Sequence, residues 1–323
     1  MKAVRIEQPG GPEVMELQDV DLAAPDAGQV RIRHAVVGLN YIDTYHRSGL
    51  YPLALPSGLG LEAAGVVEEL GEGVTGLAVG DRVAYGAGPL GAYSEACNAP
   101  ANRVSKLPDA IEDETAAAMM LKGMTVRYLL RATYEVQAGD TILFHAAAGG
   151  VGLIACQWAK ALGATVIGTV GSQEKAELAR DHGCDHTINY QTEDVAARVR
   201  ELTGGQGVPV VYDGVGQATV EASLDSLQPR GLLVSFGNAS GPVTNFDLGV
   251  LSAKGSLYVT RPTLMTYVAS DQDLAETTAD LFDVVGSGKV KIPVNQRYAL
   301  ADVRQAHEDL EARKTTGSTV LMP

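Results

Sequence analysis

The apolar positions change rhythm once along the chain. In the first third, Val30, Ile32 and Val36 alternate with more polar neighbours, the period of a half-buried strand. Glu62–Leu70 and Asp81–Tyr85 are further predicted strands, joined through Gly71, Gly73, Gly76 and Gly80. Met1 to about Lys122 therefore predicts a mostly β domain with a distorted barrel, and Ile111–Leu130 predicts a helix. From Thr141 short apolar runs alternate with amphipathic ones. The runs predict strands at Thr141–Ala146, Thr165–Val170, His186–Tyr190, Pro209–Tyr212, Leu232–Phe236 and Ser256–Thr260. Between them lie predicted helices at Gly150–Leu162, Gln173–His182, Glu193–Leu202 and Ala218–Leu227. Such alternation predicts an α/β fold, a doubly wound parallel sheet with helices on both faces. Helices at Asp271–Ser287 and Ala301–Arg313 and a strand at Ser318–Leu321 follow.

One turn in this pattern carries chemistry. His145-Ala146-Ala147-Ala148-Gly149-Gly150-Val151-Gly152 lies between an apolar strand and an amphipathic helix. Its bare N–H groups and the helix dipole attract an anion, and glycine lets a pyrophosphate approach the backbone. The usual fingerprint begins with glycine; alanine stands there in this chain. The next strand speaks to the cofactor. A site for NAD places Asp or Glu about 20 residues on, against the ribose 2′-hydroxyl. Here the strand ends in Gly171-Ser172-Gln173, with no acid at its tip, and Lys175 follows Glu174. A hydroxyl and a lysine bind a 2′-phosphate that a carboxylate would repel. The residues thus predict NADPH, held in part by Ser172 and Lys175.

Composition narrows the classes. A chain of 323 residues accommodates two domains. A net charge of −14 argues against a nucleic-acid partner, which needs a basic face. The richest apolar stretch, Ala116–Leu130, is interrupted by Lys122 and Arg127, so no membrane span is predicted. The alternating N-terminus, Met1-Lys2-Ala3-Val4-Arg5-Ile6, predicts a strand and lacks the apolar core of a signal peptide. Cys97, Cys156 and Cys184 lie far apart and show no metal-ligand spacing, so buried thiols in a reducing, cytoplasmic compartment are expected.

Further segments carry a family resemblance: Gly38-Leu39-Asn40-Tyr41-Ile42-Asp43-Thr44-Tyr45, Arg47-Ser48-Gly49-Leu50-Tyr51-Pro52, Gly60-Leu61-Glu62-Ala63-Ala64-Gly65, Ala84-Tyr85-Gly86, Val211-Tyr212-Asp213-Gly214-Val215-Gly216, Ser235-Phe236-Gly237-Asn238 and Tyr258-Val259-Thr260-Arg261-Pro262. With the glycine turn, they make the whole chain resemble the zinc-independent NADPH:quinone oxidoreductases, related to ζ-crystallin, of the medium-chain dehydrogenase/reductase superfamily. The resemblance implies a GroES-like distorted β-barrel domain, residues 1–123 and 264–323, with a Rossmann domain, residues 124–263, inserted in it. It also implies a cleft between the two for nicotinamide and substrate, and a homodimer formed through the nucleotide-binding domains. The 2′-phosphate clamp falls on Lys175, Tyr190 and Arg313, and pyrophosphate contacts on Gly149, Gly150 and Val151. Ribose and nicotinamide contacts fall on Asn40, Thr125, Gly171, Val215, Phe236 and Asn238. Without the resemblance, Arg313 reads as a helix-end cation favoured by the dipole.

Zinc-dependent relatives carry a ligand cysteine where Asn40 stands and a ligand histidine where Leu61 stands, and none of the six histidines forms a spaced pair with a cysteine. No metal is expected. Without a metal, alcohol oxidation lacks a means of stabilising the alkoxide. Reduction of a quinone needs chiefly stacking against the nicotinamide and exclusion of water. Asn40, Tyr45, Tyr51 and Arg261 are the polar groups expected to orient such an acceptor; Tyr51 is favoured as hydrogen-bond or proton donor, and Arg261 alternatively holds cofactor or backbone. Reduction of α,β-unsaturated carbonyls is the alternative activity. A lens-protein or RNA-binding role, known among relatives, is the non-enzymatic one.

Overall fold

A computed structural model describes residues 1–323. The chain divides into two compact units. One comprises Met1–Met124, Tyr267–Ser287 and Ile292–Pro323; the other comprises Thr125–Thr266 and Gly288–Lys291.

The first unit opens with β1 (Lys2–Ile6), β2 (Glu16–Asp19), β3 (Gln29–Leu39) and α1 (Tyr41–Ser48). It continues with β4 (Ser57–Gly58), β5 (Ala63–Leu70), β6 (Arg82–Tyr85), β7 (Ala96–Pro100), β8 (Ser105–Lys106) and the start of α2 (Asp113–Tyr128). Strands β2, β1 and β4 form a small sheet. The long β3 is the hub of a larger one, pairing antiparallel with β5 and β7. Its alternation is as expected up to Val36; beyond it Val37, Gly38 and Leu39 are all buried, because β3 is there covered on both faces. Helix α2 has no single apolar stripe, and it is buried from Ala116 to Met120 without interruption. It gives way to a π-helical turn, Leu129–Thr133, which takes in Leu129 and Leu130, the last two residues of the predicted helix.

Helix α1 is the element that hydrophobic periodicity does not announce. Asn40 and Asp43 form a capping box at its start, and Gly49 ends it in the left-handed conformation at φ 81°. Its buried residues are Asp43, Thr44, Tyr45 and Arg47, so a polar face points inward.

The second unit holds β9 (Thr141–Phe144), α3 (Gly150–Ala161), β10 (Thr165–Val170), α4 (Gln173–Asp181) and β11 (His186–Asn189). It continues with α5 (Val195–Leu202), β12 (Val208–Asp213), α6 (Val220–Ser226), β13 (Leu227–Ser235), α7 (Gly249–Ala253) and β14 (Tyr258–Thr260). All six strands are parallel, in the order β11-β10-β9-β12-β13-β14. The order reverses beside β9, and ligands of such sheets bind at the carboxyl ends of the strands at that point. Strand β13 begins earlier than predicted, because the sheet carries Pro229 and Gly231 through a register shift opposite Val208–Val210. The core holds Leu143, Ile167, Ile188, Val211 and Leu233. Cys156 and Cys184, 28 residues apart, place their sulfur atoms 3.3 Å apart, and all three cysteines are free and buried.

After α8 (Leu264–Tyr267) and α9 (Asp271–Gly286), the chain forms β15 (Val294–Ala299), α10 (Val303–Glu311) and β16 (Ser318–Met322). Strand β16 pairs with β3 and completes a seven-stranded sheet. Leu300, Val303, Ala306 and Leu321 join Val4, Ile32 and Tyr85 in one core, so the C-terminal segment is part of the first unit.

Candidate nucleotide and acceptor sites

In the second unit the turn from β9 to α3 is pinned at both ends. His145 N–H donates to Tyr212 O at 3.0 Å, and Ala147 N–H to Thr169 O at 3.0 Å. Ala146 sits at φ 55°, the left-handed region that glycine would enter without strain. Gly149 caps α3, and a Cβ at Gly152 would lie 2.4 Å from the carbonyl oxygen of Ala146, so only glycine fits there. Beneath the turn, His145 is buried, and burial lowers its pKa. Ser223 Oγ donates to Asp213 Oδ2 at 2.7 Å, which leaves it to accept from His145 Nε2 at 3.0 Å. Thr169 Oγ1 then donates to His145 Nδ1 at 3.0 Å and accepts from Ala146 N–H at 3.3 Å. This histidine ties β9, β10 and α6 together below the cradle.

At the tip of β10, Ser172 caps α4 and accepts from Lys175 N–H at 3.3 Å. The Ser172 hydroxyl also bonds Glu174, whose carboxyl is thereby held below its ordinary pKa. Tyr190, 41% exposed, leans on Gly171: a Cβ there would meet its phenol oxygen at 2.5 Å. Ser172, Lys175 and Tyr190 thus follow the C-terminal ends of the adjacent strands β10 and β11. Arg313 lies in the first unit, exposed, just past α10, at φ 58°.

At the end of β12, the Asp213 carboxylate accepts from Val215 N–H at 2.8 Å and Gly216 N–H at 3.0 Å, and so shapes the loop carrying Val215. The Phe236 ring packs against Phe144 with centroids 5.8 Å apart and covers Gly214, where a Cβ would approach it to 2.9 Å. Asn238 lies in the following turn, its carbonyl accepting from Gly241 N–H at 2.9 Å. Arg261 donates to Ser235 O at 3.0 Å; the structure gives it the backbone contact that the sequence left as an alternative. Thr125, at the end of α2, is buried in the same unit.

The first unit gathers Asn40, Tyr45 and Tyr51. The rings of Tyr45 and Tyr51 meet edge to face at 5.1 Å, and Tyr41 packs on Tyr45 at 5.6 Å. Asn40 is buried, and its Nδ2 donates to Glu62 Oε2 at 2.7 Å. Lys122 Nζ donates to the same oxygen at 3.2 Å. Asn40 N–H donates to Asp43 Oδ2 at 2.9 Å, and Tyr93 Oη donates to that oxygen at 2.8 Å. Burial pushes the Asp43 carboxyl up to about 7. Arg47 Nη1 donates to His307 Nδ1 at 2.9 Å, which leaves His307 Nε2 to donate to Tyr93 Oη at 3.1 Å. Glu311 closes the chain with two hydrogen bonds from Arg47. Sequence reasoning missed this network. The only local signal for it is Asn40-x-x-Asp43, the spacing of a capping box.

Comparison with known proteins follows the same two units. The alcohol dehydrogenase GroES-like domain matches residues 26–109, and the zinc-binding dehydrogenase family matches residues 150–283. A quinone oxidoreductase of Pseudomonas aeruginosa is 59% identical over 323 residues, 100% of this chain and 99% of that protein. The chain belongs to the quinone oxidoreductase family of the medium-chain dehydrogenase/reductase superfamily. Within this family, the crystal structure of Escherichia coli quinone oxidoreductase complexed with NADPH is similar at a TM-score of 0.99 and 52% identity, covering 100% of both chains. A 2-haloacrylate reductase of Burkholderia is 46% identical, covering 99% of this chain and 98% of its own. The fold is accordingly a GroES-like unit joined to a Rossmann-type parallel sheet. Although one matched family is described as zinc-binding, this quinone oxidoreductase family member has no group of three or more His, Cys, Asp or Glu that could hold a metal ion.

Proposed function

We propose that this chain is an NADPH-dependent quinone oxidoreductase that works without zinc. The observation that carries the reading is the full-length likeness to quinone oxidoreductases, 59% identity over 323 residues. The cofactor fits the residues: the cradle has no room for a Cβ at Gly152, and the β10 tip offers Ser172 and Lys175, while the one carboxylate beside them, Glu174, lies in the first turn of α4 and is held by the Ser172 hydroxyl. Gly149, Gly150 and Val151 hold the pyrophosphate at the start of α3. Ser172, Lys175, Tyr190 and Arg313 take the 2′-phosphate. Thr125, Gly171, Val215, Phe236, Asn238 and Asn40 take ribose and nicotinamide, and Arg261 braces the strand end before Phe236. Asn40, Tyr45 and Tyr51 orient the acceptor and exclude water from it. The bound dinucleotide supplies the hydride. Zinc independence is supported by Asn40 and Leu61, which offer no thiolate or imidazole, and by the Lys122 ammonium beside Glu62, which repels a cation.

The test is turnover. Purified protein should oxidise NADPH when given 1,4-benzoquinone or 1,2-naphthoquinone, and more slowly with 2-alkenals. Absence of any quinone-dependent NADPH oxidation overturns the reading. The likeness to 2-haloacrylate reductase supports a second reading, reduction of activated double bonds, and faster turnover of 2-alkenals would select it.

A homodimer through the nucleotide-binding domains belongs to the same proposal. Strand β14 is a sheet edge, with Tyr258 62% and Val259 40% exposed. An open apolar edge invites pairing with a second copy, and lysine on an edge blocks it. Tyr258→Lys/Val259→Lys should convert a dimer to a monomer in sedimentation velocity. A charged variant that still sediments as a dimer sinks the assignment. No helix is long and apolar enough to cross a membrane, and three free cysteines support a reducing, cytoplasmic setting.

A further inference from the structure

The first unit buries two cations, Arg47 and Lys122. Arg47 commits its guanidinium to Gly10 O, His307 and both oxygens of Glu311. Lys122 is different. An ammonium carries three donors, and this one meets a single acceptor of the protein, Glu62 Oε2 at 3.2 Å. That oxygen already accepts from Asn40 at 2.7 Å, and Glu62 Oε1 accepts from Leu121 N–H at 2.8 Å. A buried ammonium with donors to spare is costly unless an acceptor reaches them. The Glu62 side chain is 0% exposed and that of Lys122 is 7%, so the open edge of the pair belongs to the cation. Asn40 carries a second amide N–H beside it. It also caps α1, the helix that bears the packed rings of Tyr41 and Tyr45.

We propose that Lys122, positioned by Glu62 and assisted by Asn40, binds the oxyanion of a reduced aromatic acceptor, a hydroquinone-type phenolate. A single ammonium suits a single oxygen, whereas carboxylates and phosphates favour the fork of an arginine. The tyrosine rings carried by α1, the helix that Asn40 caps, suit an aromatic body. The inference rests on the quinone reading for the origin of the anion. The quinone gains the hydride carried by the reduced nicotinamide, leaving NADP⁺ and a hydroquinone monoanion, which a proton from water converts to the hydroquinone. Lys122 acts on the charge that appears on oxygen.

Two variants test this, because Lys122→Met alone leaves Glu62 as an unpaired buried carboxylate. Lys122→Met/Glu62→Gln removes both charges and keeps the shape. The first readout is binding of 4-nitrophenol to the full chain, with and without NADP⁺, one unit below the probe's solution pKa. The natural protein should bind the yellow phenolate, and both variants should bind it about tenfold more weakly or hold the neutral phenol. Undiminished phenolate binding by the double variant overturns the proposal. The second readout is kcat/KM across quinones. Loss of an oxyanion donor costs about a hundredfold in rate; that loss should be reached with low-potential quinones, whose reduced oxygens are most basic, and should be smaller with 1,4-benzoquinone. An equal loss for every acceptor marks a merely structural pair and also overturns it. If quinones are not reduced but phenolate binding still depends on Lys122, the quinone reading fails and the anion site stands.

Discussion

Replacing Lys175 and Arg313 together with methionine should raise the Kd for NADPH by about a hundredfold and leave that for NADH within about threefold. The number follows from taking about 1.4 kcal/mol for each screened, charge-assisted contact to the 2′-phosphate, the low end for hydrogen bonds to charged groups. NADH lacks that phosphate and should be nearly indifferent. The local geometry sets the sign. Lys175 lies in the first turn of α4, where the helix dipole favours an anion, and Ser172 caps the same turn. Glu174 opposes it: its carboxyl is held below the ordinary pKa by the Ser172 hydroxyl, so it is charged and repels a phosphate. Glu174→Gln should therefore shift preference further toward NADPH. Fluorescence titration with both dinucleotides measures each effect. If the double variant loses NADPH and NADH equally, the 2′-phosphate is held elsewhere.

The nucleotide unit was the legible part of the chain, for a physical reason. Parallel strands buried on both faces must be continuous apolar runs, as Ile142-Leu143-Phe144 is. The turn after it needs glycine where Gly152 meets a carbonyl oxygen, so the backbone requirement is written into composition. Neither signal exists for α1. Its buried face is Asp43, Thr44, Tyr45 and Arg47, and a polar face turned inward has no hydrophobic period. Strand β15 was invisible for a different reason: it is half exposed along its length and owes its form to pairing with β16. The acceptor side was legible only as single residues. Asn40, Tyr45 and Tyr51 can be read from the sequence, while Glu62, which holds Asn40, lies 22 residues from it, and Lys122, which holds Glu62, lies 60 residues from Glu62. Arg47 and His307 are 260 apart. Spacing carries local structure; it carries nothing about a hydrogen-bond network assembled by the fold.

That network supplies the second large effect, on stability. Arg47→Met should destabilise the first unit by about 3 kcal/mol, the lower part of the range for breaking a buried ion pair. The lower part applies because Glu311, 35% exposed, can be hydrated once its partner is gone, whereas His307 loses the donor to its Nδ1 outright. Arg47→Met/Glu311→Gln should recover part of the loss, since no charge is then left without its partner. The pH dependence distinguishes this from a simple packing defect. Burial, and after it the Arg47 cation, holds His307 down to about 3 from 6.5. The native histidine stays neutral while the unfolded one binds a proton, so stability is lost as pH falls from 6.5 toward 3. Asp43 slopes the other way. Its carboxyl is pushed up to about 7, so the native state keeps a proton that the unfolded state releases above 3.8, and stability falls as pH rises through that window. Without Arg47, His307 should titrate closer to its ordinary value. The loss of stability on acidification should then become shallower than in the natural protein, although the variant is weaker at neutral pH. Urea denaturation across the 3.8–6.5 range measures both slopes. Parallel curves for the two proteins would mean that Arg47 does not govern the charge state of His307, and that its contribution is packing alone.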